Sequence, residues 1–416
     1  MNQSLGAVER NLIERVNVGD ILTRGADLCP TRLAIVDGDR EVTYEALESM
    51  ANRLASALLG LGLVRQQVVA VMSRNRAELL VAYFACARAG LVCAPINLAL
   101  TAREIAWCLR DARARVLLAE QALAPALDEV LREPMPDLQY RFRIDGDGPE
   151  SFAEFLGRGS EAPVEVAVAD RDTAQLLYTS GTTAHPKGVL TSHLAVTMTG
   201  MTNAIVHQCR PGLVAYVQLP LFHCAMLNFV CVPVFLTGGT LILANGFDAH
   251  HAASLFDEHQ IELIVLLPMM YGQLLSDPVL SSRTFPSVRR AMYAMAPQAG
   301  ERPHPIHAMF PNADVVLGSG QTEFTPATCV QRPEHQWSKA STWGTPTPLT
   351  RVAIMGPDGQ LLPRGCSGEL VYRGPQVMNG FLNQPEATAD AMRHGVGNVI
   401  RTISKLRDYR NVALFL

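Results

Sequence analysis

Apolar and polar residues follow one another in short, regular blocks along the chain. Leu33-Ala34-Ile35-Val36 is an apolar run, Asp37-Gly38-Asp39-Arg40 a turn, and Glu41-Val42-Thr43 a second extended run, which together predict a strand pair. Thr43 stands where a helix N-cap belongs. Behind it Leu47, Met50, Leu54, Leu58 and Leu61 recur every three or four residues, the stripe of an amphipathic helix that Gly60 and Gly62 end. Val68–Met72 is continuously apolar, as strands buried on both faces of a parallel sheet are. The alternation then repeats. It gives a helix over about 77–89 stopped by Gly90, a strand over 91–95, a helix opened by the Thr101-x-x-Glu104 capping box, and a strand over 115–119. Strand–helix–strand order at this pace predicts a parallel α/β sheet.

Residues 145–170 are polar and Gly-rich, an excursion between subdomains. A second α/β stretch runs from Gln175 to about Leu317. After Trp343 the chain changes to short strands and tight turns, a small β-rich subdomain. Residues 219–244 are the most apolar stretch. His223, Asn228, Pro233 and Gly238-Gly239 interrupt it, so it reads as buried core and not as a membrane span. Beyond His394 no period is visible.

Composition narrows the field. With 416 residues, 48 % of them apolar and 18 % charged, the chain can bury a core, and intrinsic disorder is excluded. That length predicts several domains or one large layered unit. The net charge of −4 is spread without long runs of one sign, which argues against nucleic acid or an anionic lipid surface as partner. Nine scattered cysteines with no C-x-x-C pair exclude a zinc ribbon or thioredoxin motif and fit reduced thiols; charges interrupt the N-terminus where a signal peptide needs an apolar block. The expectation is a cytoplasmic protein. Only Lys187, Lys339 and Lys405 are lysines, against 32 arginines, so a lysine in a special place carries weight.

One lysine is in such a place. The strand ending at Tyr178 runs into Thr179-Ser180-Gly181-Thr182-Thr183-Ala184-His185-Pro186-Lys187-Gly188. Glycines let the backbone close around an anion, N–H groups and hydroxyls donate to phosphate oxygens, and Lys187 adds a point charge. It is not the P-loop of kinases and GTPases, because Pro186 and Gly188 flank the lysine. The plainer alternative is a solvated Ser/Thr-rich loop. His304-x-x-His307 has ligand spacing but no nearby carboxylate, and His250-His251 reads as a surface pair.

Here the chain resembles the adenylate-forming superfamily of acyl- and aryl-CoA synthetases, luciferases and peptide-synthetase adenylation domains. The resemblance rests on Tyr178-Thr-Ser-Gly-Thr-Thr-x-x-Pro-Lys-Gly, Pro220-Leu221-Phe222-His223, Thr322-Glu323, Gly368-Glu369-Leu370, Arg373-Gly374-Pro375 and Gly380-Phe381 to Thr388. It implies an α/β fold, the layered αβαβα large domain of these enzymes with a small β-rich subdomain. The large domain would span residues 1–394, with α/β subdomains of about 1–170 and 171–340 and the β-rich part over about 341–394. The implied reaction joins a carboxylic acid to ATP, giving acyl-AMP and pyrophosphate, and then transfers the acyl group to coenzyme A.

By the same resemblance Thr179, Ser180, Gly181, Thr182, Thr183 and Lys187 grip the phosphates, and Thr179 with Glu323 holds Mg²⁺. Gly318, Ser319, Gly320 and Gln321 wall the adenine, with Thr322 and Ala296 also on the nucleotide. Lys187, His223 and Glu323 form the catalytic set. His223 would line the carboxylate end of the acyl pocket, where amino-acid-activating relatives place an Asp, so the expected acid is fatty, alicyclic or aryl. Relatives usually stack an aromatic residue on the base where Ser319 stands, which implies weaker adenine binding.

No counterpart of the family's C-terminal domain and its lysine follows. Residues 395–416 read as a tail foreign to the family, from a truncated or frame-shifted longer synthetase, with impaired adenylation expected. The alternatives are a catalytically incomplete nucleotide- or acyl-binding subunit, and an adenylase that loads a carrier protein. Expected partners are the acid, ATP and CoA, with a homodimer or a separate C-terminal domain left open.

Overall fold

The computed structural model describes residues 6–179, 185–294, 303–339, 342–363, 365–393 and 399–401. These residues form three sheets. The first places, in spatial order, Gly380–Phe381, Lys187–Ser192, Thr173–Thr179, Val92–Pro95, Val68–Met72, Val116–Ala119 and Tyr140–Arg143 side by side. Its interior is parallel, and the Thr173–Thr179/Lys187–Ser192 pair and the Gly380–Phe381 edge are antiparallel.

The second sheet has a parallel interior of Leu33–Asp37, Thr240–Leu243, Val214–Val217, Leu263–Leu266, Arg290–Tyr293 and Asp314–Gly320. Antiparallel strands close both of its edges. The third sheet is small and antiparallel, built on Arg351–Met355 and Glu369–Arg373. Val399–Arg401, in the segment whose pattern predicts no element, is a strand of this sheet, between Glu369–Arg373 and Met392–Arg393.

The two large sheets exchange strands. The hairpin of Leu33–Asp37 and Arg40–Thr43 joins the second sheet, while Thr173–Thr179 and Lys187–Ser192 join the first. Helices Gly19–Leu28, Tyr44–Gly60, Ala77–Arg88, His193–Val206 and Val232–Thr237 fill the layer between the sheets. Their apolar faces share one core with Val69, Val71 and Cys93 of the first sheet and Ile35, Val217 and Leu241 of the second. Separate cores cover the outer faces: Ile105, Cys108 and Leu109 against the first sheet, and Phe256, Tyr271 and Phe310 against the second. The layer order is therefore helix, sheet, helix, sheet, helix.

Local chemistry explains the element ends. The Thr43 hydroxyl accepts from the Ala46 N–H at 3.2 Å and caps Tyr44–Gly60. The Thr101–Glu104 capping box opens Ala102–Asp111. Gly90 takes a φ of +67° after Ala77–Arg88, a turn that a side chain would strain. In the middle layer the buried Arg88 guanidinium pairs with Glu48 and donates to Asn52, so its charge is compensated. Among the described residues no helix is long and apolar enough to cross a membrane.

Candidate active site

The strand Thr173–Thr179 and the return strand Lys187–Ser192 bring Thr179 opposite Lys187, and the Thr179 hydroxyl donates to the Lys187 carbonyl at 3.4 Å. Both flanks of the loop are anchored to helix Ala102–Asp111. The Tyr178 hydroxyl donates to Asp111 Oδ2 at 2.9 Å. The Trp107 ring meets Tyr178 edge-on and stacks flat on His185, with centroids 4.9 Å apart and planes 3° from parallel. Ser180, Gly181, Thr182 and Thr183, the middle of the candidate phosphate loop, lie outside the described residues, as do Met295 and Ala296.

A second element faces this pair. The pattern predicts a Gly-rich turn directly after the apolar run Val315-Val316-Leu317; instead the strand continues to Gly320 and pairs antiparallel with Ala327–Val330. Gly320 permits it: a Cβ there would lie 1.6 Å from the Pro326 carbonyl oxygen. A register shift between Ser319 and Gly320 then turns the chain into the single helical turn Thr322–Phe324. Thr325 follows in the left-handed region at φ +58°, a strained position for a β-branched residue. Its hydroxyl donates to the Gln376 carbonyl at 2.9 Å, and the Met378 N–H donates to the Glu323 carbonyl at 3.0 Å. The 376–378 segment thus clamps the turn from behind. Phe324, Val189, Phe381, Tyr372 and Met378 share one apolar cluster, which fixes the turn against the return strand that begins at Lys187.

Glu323 is the unusual group here. It is 6 % exposed, and no ion pair or side-chain hydrogen bond to another residue holds its carboxylate among the described residues. Burial pushes its carboxyl above the ordinary carboxylate value; a hydrogen bond from its own backbone N–H and the charge of Lys187 act in the opposite direction. A buried carboxylate held only by its own backbone N–H, with a lysine in range but not paired to it, fits a site for a bound cation.

His223 reaches the same place from the second sheet. It caps the short turn Cys224–Met226, its Nδ1 accepting from the Ala225 N–H at 3.1 Å. That leaves the ring proton on Nε2. The protein around the ring holds its pKa below the ordinary imidazole value by desolvation, so the ring stays neutral. The next residue, Cys224, lies 3.3 Å from the Thr322 hydroxyl and joins the His223 turn to the Thr322–Phe324 turn.

The structure therefore brings Thr179, Lys187, Glu323, Thr322 and His223 into one neighbourhood. Gly318 and Ser319 border it on the paired strand; Phe229 and Met292 lie 3.3 Å from where a Gly318 Cβ would stand. Gly320 and Gln321 follow at the strand's end. His307 does not join: it packs against the Trp337 ring, and His250 pairs with Asp277 at the surface.

Sequence reading overlooked Asn75, which is 4 % exposed and ties the two sheets together at the foot of His223. Its side-chain amide donates to the Leu219 and Ala244 carbonyls, each at 2.9 Å, and its Oδ1 accepts from the Leu221 N–H at 2.9 Å. An isolated Asn after a strand carries no motif; its partners come from residues 144–169 positions away. Gln376 was overlooked for the same reason, and Phe381, although in a quoted motif, because the strand opposite it is distant in sequence.

Comparison with known proteins agrees with this arrangement: the profile of the AMP-binding enzyme family matches residues 22–382. The chain belongs to the AMP-binding enzyme family. Its members among AMP-forming acid–CoA ligases include similar proteins of differing substrate. A feruloyl-CoA synthase of Amycolatopsis sp is 31 % identical over 385 residues, 91 % of this chain and 74 % of that protein. A long-chain-fatty-acid–CoA ligase, FadD13, of Mycobacterium tuberculosis is 30 % identical over 381 residues, again 91 % and 74 %. The crystal structure of the N-terminal domain of FACL13 from Mycobacterium tuberculosis superposes with a TM-score of 0.86 at 28 % identity, covering 93 % of this chain and 95 % of that one. The α/β fold expected from the resemblance, two mixed sheets and a small antiparallel one, is thus the AMP-binding N-terminal fold.

Proposed function

We propose that this protein activates a hydrophobic carboxylic acid, aryl or fatty, by joining it to ATP as the acyl-adenylate, and passes the acyl group to the thiol of coenzyme A. The observation that carries the reading is the buried Glu323 carboxylate, within the charge range of Lys187 and without an ion pair to it among the described residues. In the first step an oxygen of the acid attacks the α-phosphorus and pyrophosphate leaves. In the second the thiol attacks the acyl carbon and AMP leaves. The acid supplies its own nucleophile, so the protein's part is positioning and charge compensation.

Thr179, the loop residues Ser180 to Thr183 and Lys187 hold the β- and γ-phosphates, with Lys187 neutralising charge as it moves onto pyrophosphate. Thr179 and Glu323 hold Mg²⁺, which when bound offsets the negative charge of the phosphates. Gly318, Ser319, Gly320, Gln321 and Thr322, with Ala296, border the nucleotide. Neutral His223 offers its Nε2 proton to a carboxylate oxygen of the acid and sets that oxygen toward the α-phosphate. An imidazole, not a carboxylate, at that point fits an acid without an ammonium group.

Relatives that act on ferulate and on long-chain fatty acids are similar to this chain at nearly equal identity, so the acid class is decided by assay. The chain is incubated with MgATP and a panel of cinnamic, indolic, alicyclic and fatty acids, and acyl-AMP is detected by mass spectrometry, then acyl-CoA after adding CoA. Accumulation of one class of adenylate names the substrate. Adenylate formation that prefers an amino acid would overturn the reading. A second reading, of a protein that binds nucleotide and acid without efficient turnover, is favoured by one observation: Ser319 offers the adenine a hydroxymethyl group and no ring face. It predicts nucleotide binding with no adenylate from any acid.

A further inference from the structure

Lys187 has a partner that the phosphate reading does not use. Its Nζ lies over the ring of Phe381, 5.3 Å from the centroid, within the range of a cation–π contact. Pairing makes this contact inevitable. Phe381 stands opposite Val189 on the neighbouring antiparallel strand, and Lys187 is two residues before Val189, so ring and ammonium project from the same face as diagonal neighbours. The ring itself is fixed. It is buried among Phe324, Tyr372 and Met378, and its backbone N–H donates to the Thr388 hydroxyl at 2.9 Å.

Lys187 therefore has two attractive neighbours, the aromatic face and the buried Glu323 carboxylate, and it rests on the first without an ion pair to the second. A lysine on a flexible four-carbon stem beside a desolvated carboxylate would otherwise close the pair. A closed pair would have to open again before either group could meet a phosphate or a cation.

We propose that Phe381 is a positioning residue whose ring parks the Lys187 ammonium clear of Glu323, keeping the lysine free for phosphate and the carboxylate free for a cation. The inference rests on the phosphate-binding reading of the loop for its consequence, but not for the contact itself. Phe381 touches neither substrate nor cofactor; it acts through Lys187. Loss of the ring's charge distribution, with its volume kept, raises KM for MgATP and leaves kcat nearly unchanged.

The scarcity of lysine makes the contact measurable. The full chain, free of nucleotide, is treated with a limiting amine-reactive reagent, and labelling of Lys187 is read by peptide mass spectrometry against Lys339 as internal reference. Four proteins are compared: wild type, Phe381→Tyr, Phe381→Leu, and Phe381→Leu combined with Glu323→Gln. A series with one, two or three ring fluorines at position 381 keeps the shape and weakens only the ring face.

The expected result is Lys187 labelling slowed roughly three- to tenfold in Phe381→Leu, the size of a partly buried cation–π contact. Labelling is normal in Phe381→Tyr and recovers when Glu323→Gln removes the competing carboxylate. It falls stepwise with each added fluorine, and KM for MgATP rises in step. Labelling and KM that are flat across the fluorine series would overturn the proposal, as would Phe381→Leu slowed without recovery by Glu323→Gln. If MgATP fails to protect Lys187 in the wild type, the phosphate reading of the loop fails, while the fluorine dependence of labelling still decides whether the ring holds the lysine.

Discussion

At the scale of single residues, Glu323 shows how a functional site departs from what stability alone would choose. A carboxylate taken out of water costs free energy unless a partner compensates it, and here the described residues supply only its own backbone N–H and the unpaired charge of Lys187. Glu323→Gln keeps the shape and removes the buried charge. The expected outcome is a thermal midpoint equal to or above that of the wild type without ligand. MgATP-dependent adenylate formation falls on the order of a hundred- to a thousandfold, the usual loss for one electrostatic contact in a transition state. Unfolding scans and initial rates on the same preparation check it. A variant that loses stability and activity together would show Glu323 to be a structural residue. Residue-scale reading of the sequence found Lys187 because lysine is rare in this chain, and it found Glu323 only through the resemblance of Thr322-Glu323 to a family motif. It could not find Phe381, whose importance lies in the strand opposite.

At the scale of elements, the strand ends place the chemistry. Thr173–Thr179 delivers the loop, Asp314–Gly320 delivers the Thr322–Glu323 turn, and Val214–Val217 leads to His223. The apolar runs before Thr179 and Gly318 were legible as strands, that of Val214–Val217 was not, and capping chemistry showed where helices such as Tyr44–Gly60 begin. The continuation through Gly318 to Gly320 was hidden, because glycines that read as a turn are here a strand pressed against Pro326. Asn75 is the element-scale residue to test. Asn75→Ala strands the buried Leu219 and Ala244 carbonyls and the Leu221 N–H, and should cost about 2–4 kcal/mol of stability by the usual penalty for unsatisfied buried groups. With the 219–221 segment loosened, KM for the acid should rise more than KM for MgATP. Urea unfolding and two-substrate kinetics check both parts; equal changes in the two KM values would show that Asn75 does not set the position of His223.

At the scale of the whole molecule, two sheets with a shared helical layer depend on polar residues buried between them. His193 is fully buried, accepting from the Val18 N–H at 3.2 Å, and burial lowers its pKa to about 4. His207, hydrogen-bonded to the Phe229 carbonyl at 2.7 Å, is lowered by burial to about 3. Both rings are neutral when folded and take up a proton more readily when unfolded. Their contribution is therefore complete above about pH 6.5 and is lost as pH falls from there toward 4. The shifts correspond to up to about 3 kcal/mol for His193 and about 5 kcal/mol for His207. Urea midpoints measured from pH 7.5 to 4.5 should fall steadily, and less steeply in His193→Asn; an equal slope in that variant would show that His193 does not contribute. The α/β class with a parallel sheet was legible in the block pattern, since parallel strands and their crossover helices are local signals; the layering followed only from the resemblance. The strand exchange between sheets was not, because a short strand such as Leu33–Asp37 reads the same whichever sheet it joins, and its neighbour Thr240–Leu243 is distant in sequence.

The central claim is that Lys187 and Glu323 serve ATP-dependent activation of an acid. Acid-dependent exchange of pyrophosphate into ATP, with Mg²⁺ and a panel of aryl and fatty acids, tests it most directly. The account predicts exchange with one class of acid, lost in Lys187→Ala and in Glu323→Gln while both variants remain folded. Exchange that persists undiminished in both variants, or that needs no acid, would contradict it.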